Sequence, residues 1–116
     1  MTADELAALL ANGEVQLLDV RSAEEYDGSS GYGCDPRQGH LPGAVNIPVE
    51  EIAQAGAGLW ALLTERGIDV DGGARIVCYC HSGSRSAYAV AALLAAGLTA
   101  ENYEGSWHEW SRRGSS

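Results

Sequence analysis

The sequence predicts an α/β domain built in three layers, with a mostly parallel central sheet covered by helices on both faces. Two observations predict this fold. Short apolar runs alternate along the chain with helical patterns, and no two-residue hairpin turn joins one run to the next. The apolar run at residues 76–79 has no polar alternation, which is typical of a parallel strand buried on both faces.

Length and charge restrict the class of protein. The chain has 116 residues, so we expect a single domain over residues 1–116, with a frayed tail at 113–116. Seven basic against 16 acidic residues give a net charge of −9, which disfavours nucleic acid as a partner. Three cysteines, an odd number, and no apolar amino-terminal stretch predict a cytoplasmic protein that does not enter a membrane.

The first elements carry clear start signals. Thr2 with Glu5, and Ser22 with Glu25, have the spacing of a capping box, so one helix is expected to begin after Thr2 and another after Ser22. The apolar run at 15–20 between them is the first predicted strand.

The stretch at 27–39 has neither a helical nor a strand pattern. Loops of this length within a domain are usually functional or mobile. Arg37 is a candidate for reaching a bound anion, and Cys34 for meeting Cys80. The alternative for both residues is an ordinary place in a solvent-exposed loop.

The remaining elements continue the alternation of strands and helices. They are a strand within 40–48, a helix over 49–67 interrupted at Gly56 and Gly58, the central strand at 76–79, an Ala-rich helix over 87–96, a short strand at 99–103 and a helix over 107–113. The three tryptophans stand at helical spacings, which favours packing in a core or an interface over a substrate platform. They are Trp60, Trp107 and Trp110.

The central strand leads into the predicted reactive segment. Cys80 ends the strand, and Ser82, Gly83 and Ser84 form a turn before the Ala-rich helix. Ligands gather outside the carboxyl ends of parallel strands, and a helix amino terminus presents unpaired N–H groups. Such groups lower the pKa of a thiol, which predicts a reactive thiolate at Cys80, the alternative being a small buried hydrophobic residue. Arg85 adds a permanent positive charge.

Two other constellations bear on the site. Asp19 near the end of the first strand and Arg21 just beyond it either brace the reactive loop or form an ordinary ion pair near the surface. A zinc site at Cys78, Cys80 and His81 would need further ligands, and no second paired motif supplies them. The possible additional ligands are Cys34, His40 and His108. We therefore assign no metal ligand.

Four segments, in this order, resemble the rhodanese (thiosulfate sulfurtransferase) domain. They are DVRSAEEY at 19–26, GHLPGAVNIP at 39–48, CHSGSRS at 80–86 and YEGSWHEW at 103–110. The long insert before Gly39 and the last of these segments are similar to the catalytic carboxyl-terminal half of two-domain sulfurtransferases. The resemblance implies the three-layer rhodanese-like fold.

The resemblance also implies a chemistry. Cys80 matches the family's nucleophile, which takes the outer sulfur of thiosulfate, releases sulfite and passes the sulfur from a persulfide to cyanide or a thiol. The substrate would be held by His81, Ser82, Gly83, Ser84 and Arg85, with Asp19 and Arg21 as supporting residues. No cofactor is required.

The loop length and its charges bear on the substrate. Four residues separate Cys80 from Arg85, whereas phosphatases and arsenate reductases of similar fold have five, so phosphatase activity is disfavoured. Arg85 favours thiosulfate over 3-mercaptopyruvate. His81 stands where two-domain thiosulfate enzymes often carry arginine, which weakens anion binding. The resemblance also allows a persulfide carrier that is loaded by a sulfur-relay partner and turns thiosulfate over poorly.

Overall fold

The central sheet is all-parallel, with the strand order β2-β1-β3-β4. The protein is represented by a computed structural model that describes residues 1–71 and 75–113. Within these residues the strands are β1 (Val15–Asp19), β2 (Val45–Asn46), β3 (Arg75–Tyr79) and β4 (Ala100–Asn102). The predicted α/β fold is confirmed, and every strand pair is parallel. The expected frayed tail lies outside the described residues beyond Arg113.

Helices connect the strands and follow the predicted order. They are α1 (Ala3–Ala11), α2 (Ala23–Asp27), α3 (Val49–Ala55), α4 (Leu59–Glu65), α5 (Ser84–Ala95) and α6 (Ser106–Trp110). Both predicted capping boxes are present, because Thr2 and Ser22 each accept a hydrogen bond from the backbone three residues later. The predicted helix at 49–67 is divided by a 3-10 turn over Gly56–Gly58.

The helix α5 begins earlier than the Ala-rich pattern predicts. It starts at Ser84 rather than at residue 87, because Gly83 adopts the left-handed conformation with φ of 102° and turns the chain directly into the helix. The reactive loop between β3 and α5 is therefore only four residues long, from Cys80 to Gly83.

Two hydrophobic clusters cover the two faces of the sheet. Successive side chains of a strand point to opposite faces, so Ile76, Cys78 and Cys80 join one cluster, and Val77 and Tyr79 join the other. Helices α3, α4 and α5 contribute to the first cluster, whereas α1 and α6 contribute to the second. This arrangement forms the three layers and places Cys80 at the edge of the first cluster.

The tryptophans divide between the core and the surface. Trp107 and Trp110 are buried in the second cluster, as predicted. Trp60 is 41% exposed, and its indole N–H donates to the Ala96 carbonyl at 2.8 Å. In the described part of the chain, no helix combines the length and apolar character needed to cross a membrane.

Candidate active site

Cys80 follows the last residue of β3 and faces the first turn of α5. Its residue surface is only 1% exposed. The turn depends on Gly83, because a Cβ there would lie 2.8 Å from the Glu104 carbonyl oxygen, and φ is in the left-handed region. The chain can therefore bend tightly enough for the Gly83 N–H to donate to the Cys80 Sγ at 3.1 Å.

The surroundings of the Cys80 sulfur favour the thiolate. Burial acts to raise its pKa, but hydrogen bonds from the Ser86 hydroxyl and from the amides of Ser86, Gly83 and Ser82 outweigh it, so the pKa lies below its ordinary value. Cys78, two residues earlier, has no such donors to offset burial, which raises its pKa to about 12. The pKa values of Cys78, within β3, and Cys80, directly after it, are thus shifted in opposite directions.

Ser86 contacts the Cys80 sulfur, which the sequence did not lead us to expect. Its hydroxyl lies 3.4 Å from the Cys80 Sγ, 3.1 Å from the Gly83 carbonyl and 2.6 Å from Asn102 Oδ1, and the residue is fully buried. One turn of helix separates Ser86 from the loop, so its position on the inner face of α5 was the available signal. Among the expected donors, Ser84 is exposed and does not reach the sulfur in the described contacts.

The backbone of Cys80 is held by the segment that follows β4. The Cys80 N–H donates to Ser106 Oγ at 3.2 Å, and the Trp107 N–H donates to the Cys80 carbonyl at 2.9 Å. Ser106 has φ of 53°, a left-handed conformation that costs a residue other than glycine about 1–2 kcal/mol. This conformation aims the hydroxyl at the cysteine backbone, so α6 and the reactive loop are positioned together.

Arg85 is engaged by a carboxylate. Its Nη1 and Nη2 lie 2.8 and 3.1 Å from the two oxygens of Glu25, the residue that also caps α2. Burial acts to raise the pKa of Glu25, but hydrogen bonds from Arg85 and Ser22 hold it at about 2. The positive charge of Arg85 is therefore largely offset, and the guanidinium is less available to an anion than the sequence suggested.

His81 contacts the long loop. Its ring stacks on Tyr32 with centroids 3.8 Å apart, and its Nε2 lies 3.0 Å from Asp35 Oδ2. The two atoms lie at ion-pair distance, and in the described structure both are buried and neither makes a hydrogen bond. His81 thus points towards Asp35. The ring of His108 lies edge-on to the ring of His81, with centroids 5.5 Å apart.

Asp19 and Arg21 form a buried ion pair and do not lie near the surface. Arg21 Nη2 lies 2.7 Å from Asp19 Oδ2, and the side chains are 1% and 0% exposed. The same nitrogen donates to the Gly39 carbonyl at 2.5 Å, and the guanidinium stacks over the Tyr79 and Trp107 rings. The pair thus fixes the end of the long loop against the second cluster, and its described hydrogen bonds do not extend to the reactive loop.

Arg37 and Cys34 are both exposed residues of the long loop, which is the alternative stated for them from the sequence. Arg37 donates to the carbonyls of Trp110 and Ser111 at 3.0 and 3.2 Å, so it binds the end of α6 and not the region of the Cys80 sulfur. Cys34 is exposed and free, as is the buried Cys80, so the two are not joined by a disulfide. Cys34 instead belongs to a group of side chains capable of binding a metal, together with Asp35, His81 and His108.

Comparison with known proteins identifies sequence relatives along almost the whole chain. A family model described as "Rhodanese-like domain" matches residues 2–113. The chain is 41% identical over 105 residues to the putative thiosulfate sulfurtransferase SseB of Mycobacterium tuberculosis, covering 85% of this chain and 36% of that protein. It is 35% identical over 111 residues to the human thiosulfate:glutathione sulfurtransferase, covering 91% of this chain and 87% of that protein. The sulfur carrier protein TtuD of Thermus thermophilus is 36% identical over 112 residues, covering 84% of this chain and 39% of that protein.

Solved structures agree with these relatives. The crystal structure of a probable thiosulfate sulfurtransferase superposes with a TM-score of 0.79 at 40% identity, covering 98% of this chain and 45% of that chain. The chain spans little more than a third of the SseB protein, at 36%, but most of the human relative, at 87%.

Proposed function

The chain belongs to the rhodanese-like family, and from this premise we propose that it is a sulfurtransferase in which Cys80 carries the transferred sulfur. The observation that carries the proposal is the set of donors around the Cys80 sulfur, which lowers the pKa of the thiol despite its burial. A thiolate is the nucleophilic form, and the same donors suit a persulfide, which is also an anion at this position. Names of relatives that include thiosulfate sulfurtransferase support the same activity.

The proposed reaction has two displacement steps on sulfur. In the first, the Cys80 thiolate attacks the outer sulfur of thiosulfate, an S–S bond forms, and the electron pair of the broken S–S bond leaves with sulfite. In the second, a thiolate or cyanide attacks the outer sulfur of the persulfide and regenerates the Cys80 thiolate. In each step one electron pair enters with the nucleophile and one leaves with the displaced group, so the reaction requires no external oxidant or cofactor.

The loop residues have distinct proposed roles. The amides of Ser82, Gly83 and Ser86 stabilise negative charge on the sulfur, since backbone N–H groups aimed at developing charge need no reorganisation during the reaction. His81 and Arg85 contact substrate after approach of the donor, when Arg85 shifts part of its hydrogen bonding away from Glu25. Because Cys80 is 1% exposed, the donor reaches it only when neighbouring side chains move.

Intact-mass spectrometry after incubation with thiosulfate tests the proposal. We expect the wild-type chain to gain the mass of one sulfur atom and to lose it again on addition of cyanide or a thiol. The matched control is Cys34→Ser, which removes an exposed thiol and should still be loaded. Cys80→Ser should not be loaded, and loading of that variant, or no loading of the wild type, contradicts the proposal.

A persulfide carrier is the second candidate function. It is favoured by the Glu25–Arg85 ion pair, which reduces the charge available to bind thiosulfate, and by the relative named as a sulfur carrier protein. A carrier would accept sulfur at Cys80 from a desulfurase partner but show little steady-state turnover of thiosulfate. Parallel assays with thiosulfate and with 3-mercaptopyruvate, each with cyanide or a thiol as the acceptor, distinguish the carrier from a thiosulfate sulfurtransferase and from a 3-mercaptopyruvate sulfurtransferase.

The setting of this activity is part of the proposal. The strands of the described residues form one sheet, and a hydrophobic cluster covers each of its faces, which supports a single functional domain over residues 1–116. The three free cysteines suit a reducing compartment such as the cytoplasm.

A further inference from the structure

We infer that the chain has a binding site for a divalent transition metal of the zinc class beside the reactive loop, formed by Cys34, Asp35, His81 and His108. The ligand atoms of these four side chains all lie within 4.8 Å of one another. They come from three segments that only the fold brings together, the long loop, the reactive loop and α6. The inference goes beyond sulfur transfer. Its ligand His81 is also one of the proposed substrate contacts, so metal binding and sulfur loading are measured separately.

The strongest evidence is a pair of buried atoms that are not satisfied. Asp35 Oδ2 and His81 Nε2 lie 3.0 Å apart, yet both are buried and without a hydrogen-bond partner in the described part of the chain. The Asp35 side chain is fully buried. A buried polar atom without a partner costs about 1–3 kcal/mol, and a cation between the carboxylate oxygen and a ring nitrogen would satisfy both atoms at once.

The other two ligands surround the same carboxylate. Cys34 Sγ lies 3.9 Å from Asp35 Oδ1, and His108 Nδ1 lies 3.5 Å from it. A tetrahedral zinc ion with bonds of about 2.0–2.3 Å holds its ligand atoms roughly 3.3–3.8 Å apart, so side chains now within 4.8 Å of one another must move together to close the site. Cys34 and His108 are both exposed enough to make these movements.

The donor set selects the type of metal. One thiolate, one carboxylate and two imidazoles suit Zn²⁺, whereas Mg²⁺ and Ca²⁺ prefer oxygen ligands alone. Binding would release the proton of the Cys34 thiol to solvent as the sulfur–metal bond forms. The thiolate and the carboxylate then balance the two positive charges of the ion, and the chain's net charge of −9 favours the approach of a cation.

Arg112 is the natural competitor for this site. Its Nη1 lies 3.0 Å from Asp35 Oδ1 and 3.2 Å from His108 Nδ1, and its Nη2 donates to the Cys34 carbonyl at 2.7 Å. The guanidinium therefore covers Oδ1, while Oδ2 faces His81. The metal would occupy the Oδ2 side, so Cys34 and His108 would turn from Oδ1 towards Oδ2, and His108 would exchange its contact with Arg112 for the ion.

Cobalt titration of metal-free protein, prepared without a metal-affinity step, tests the site. Co²⁺ replaces Zn²⁺ in tetrahedral sites and reports a bound thiolate by a charge-transfer band. We expect one equivalent to bind with that band, and an equivalent of Zn²⁺ to displace it. In Cys34→Ser the band should disappear, and in His108→Asn the affinity should fall by at least about 10-fold.

Two control variants identify the ligands. Cys80→Ser removes a thiol outside the cluster, and His40→Asn removes an imidazole outside it, so both should bind Co²⁺ like the wild type. The inference is overturned if the wild type shows no thiolate band, if Cys34→Ser keeps it, or if Cys80→Ser abolishes it. Sulfur loading of Cys80 from thiosulfate, measured on the metal-free protein, reports separately on the proposed reaction.

Discussion

Replacing Ser86 by alanine tests whether a side-chain hydroxyl helps to keep the Cys80 sulfur ionised. The hydroxyl lies 3.4 Å from the Sγ, and it joins amide donors that include the Gly83 N–H at 3.1 Å. A hydrogen bond to a charged group contributes about 1.5–3 kcal/mol, and this one belongs at the lower end, because the sulfur is distant and Asn102 Oδ1 at 2.6 Å competes for the single hydroxyl proton. Since about 1.4 kcal/mol corresponds to one pH unit, Ser86→Ala should raise the pKa of Cys80 by about one unit.

The assay is the rate of Cys80 alkylation by iodoacetamide as a function of pH, with the modified residue located by fragment-ion mass spectrometry. Cys78 does not interfere, because burial raises its pKa to about 12. Ser84→Ala is the matched control, since it removes an exposed hydroxyl two residues earlier in the same helix. In the wild type the rate should rise through a midpoint below the ordinary thiol pKa.

The midpoint should move upward in Ser86→Ala and stay in place in Ser84→Ala. Near-ultraviolet circular dichroism and urea unfolding show whether both variants are folded under the assay conditions. The reasoning is refuted if folded Ser86→Ala keeps the wild-type midpoint, or if Ser84→Ala moves it by the same amount. The first result would mean that the backbone amides alone determine the acidity of the thiol, and the second that the shift does not depend on a hydroxyl in contact with the sulfur.

Two predictions concern stability. Gly83→Ala should lower the free energy of unfolding by about 1–3 kcal/mol and reduce sulfur loading, because its Cβ would lie 2.8 Å from the Glu104 carbonyl oxygen. Gly43→Ala, also at positive φ but with open space around its Cβ, should cost less in the same urea titration. Glu25→Gln should lower the free energy of unfolding by about 2 kcal/mol at neutral pH. Lowering the Glu25 pKa from 4.5 to about 2 corresponds to roughly 3 kcal/mol, and the partial exposure of Arg85 reduces this contribution. Since the folded-state pKa is lowered, this stabilisation is present above pH 4.5 and is lost as the pH falls towards about 2. The free energies of unfolding of variant and wild type should converge there. A difference that persists at low pH contradicts the ion-pair explanation.

Local patterns in the sequence predicted most of the fold. The capping boxes at Thr2 and Ser22 depend on residues three positions apart, and the buried strand was predicted from the four consecutive residues 76–79. Such signals are complete within one element, so they can be interpreted without knowing its neighbours. The position of Cys80 at the end of that strand, before a glycine-containing turn, followed for the same reason.

Contacts between distant segments could not be predicted in this way. Arg85 and Glu25 are 60 residues apart, so the sequence showed a free arginine where the structure has a bidentate ion pair. Arg37 donates to the end of α6, more than 70 residues away, a contact that the sequence did not indicate. In each case a flexible charged side chain takes whichever partner the packing of the elements brings within reach, and charge patterns along the chain do not encode that choice.

The sequence by itself therefore predicted the order of strands and helices, the cysteine that we propose as the nucleophile and the family to which the chain belongs, because each rests on short-range patterns. Only the tertiary structure decided which groups surround that cysteine and its loop. The Ser86 hydroxyl on the inner face of α5, and Asp35 buried against His81, acquire their roles from the docking of separate segments. The physical reason is that burial and hydrogen-bond direction are properties of the packed fold, and they decide whether a polar group is satisfied, charged or available to a ligand.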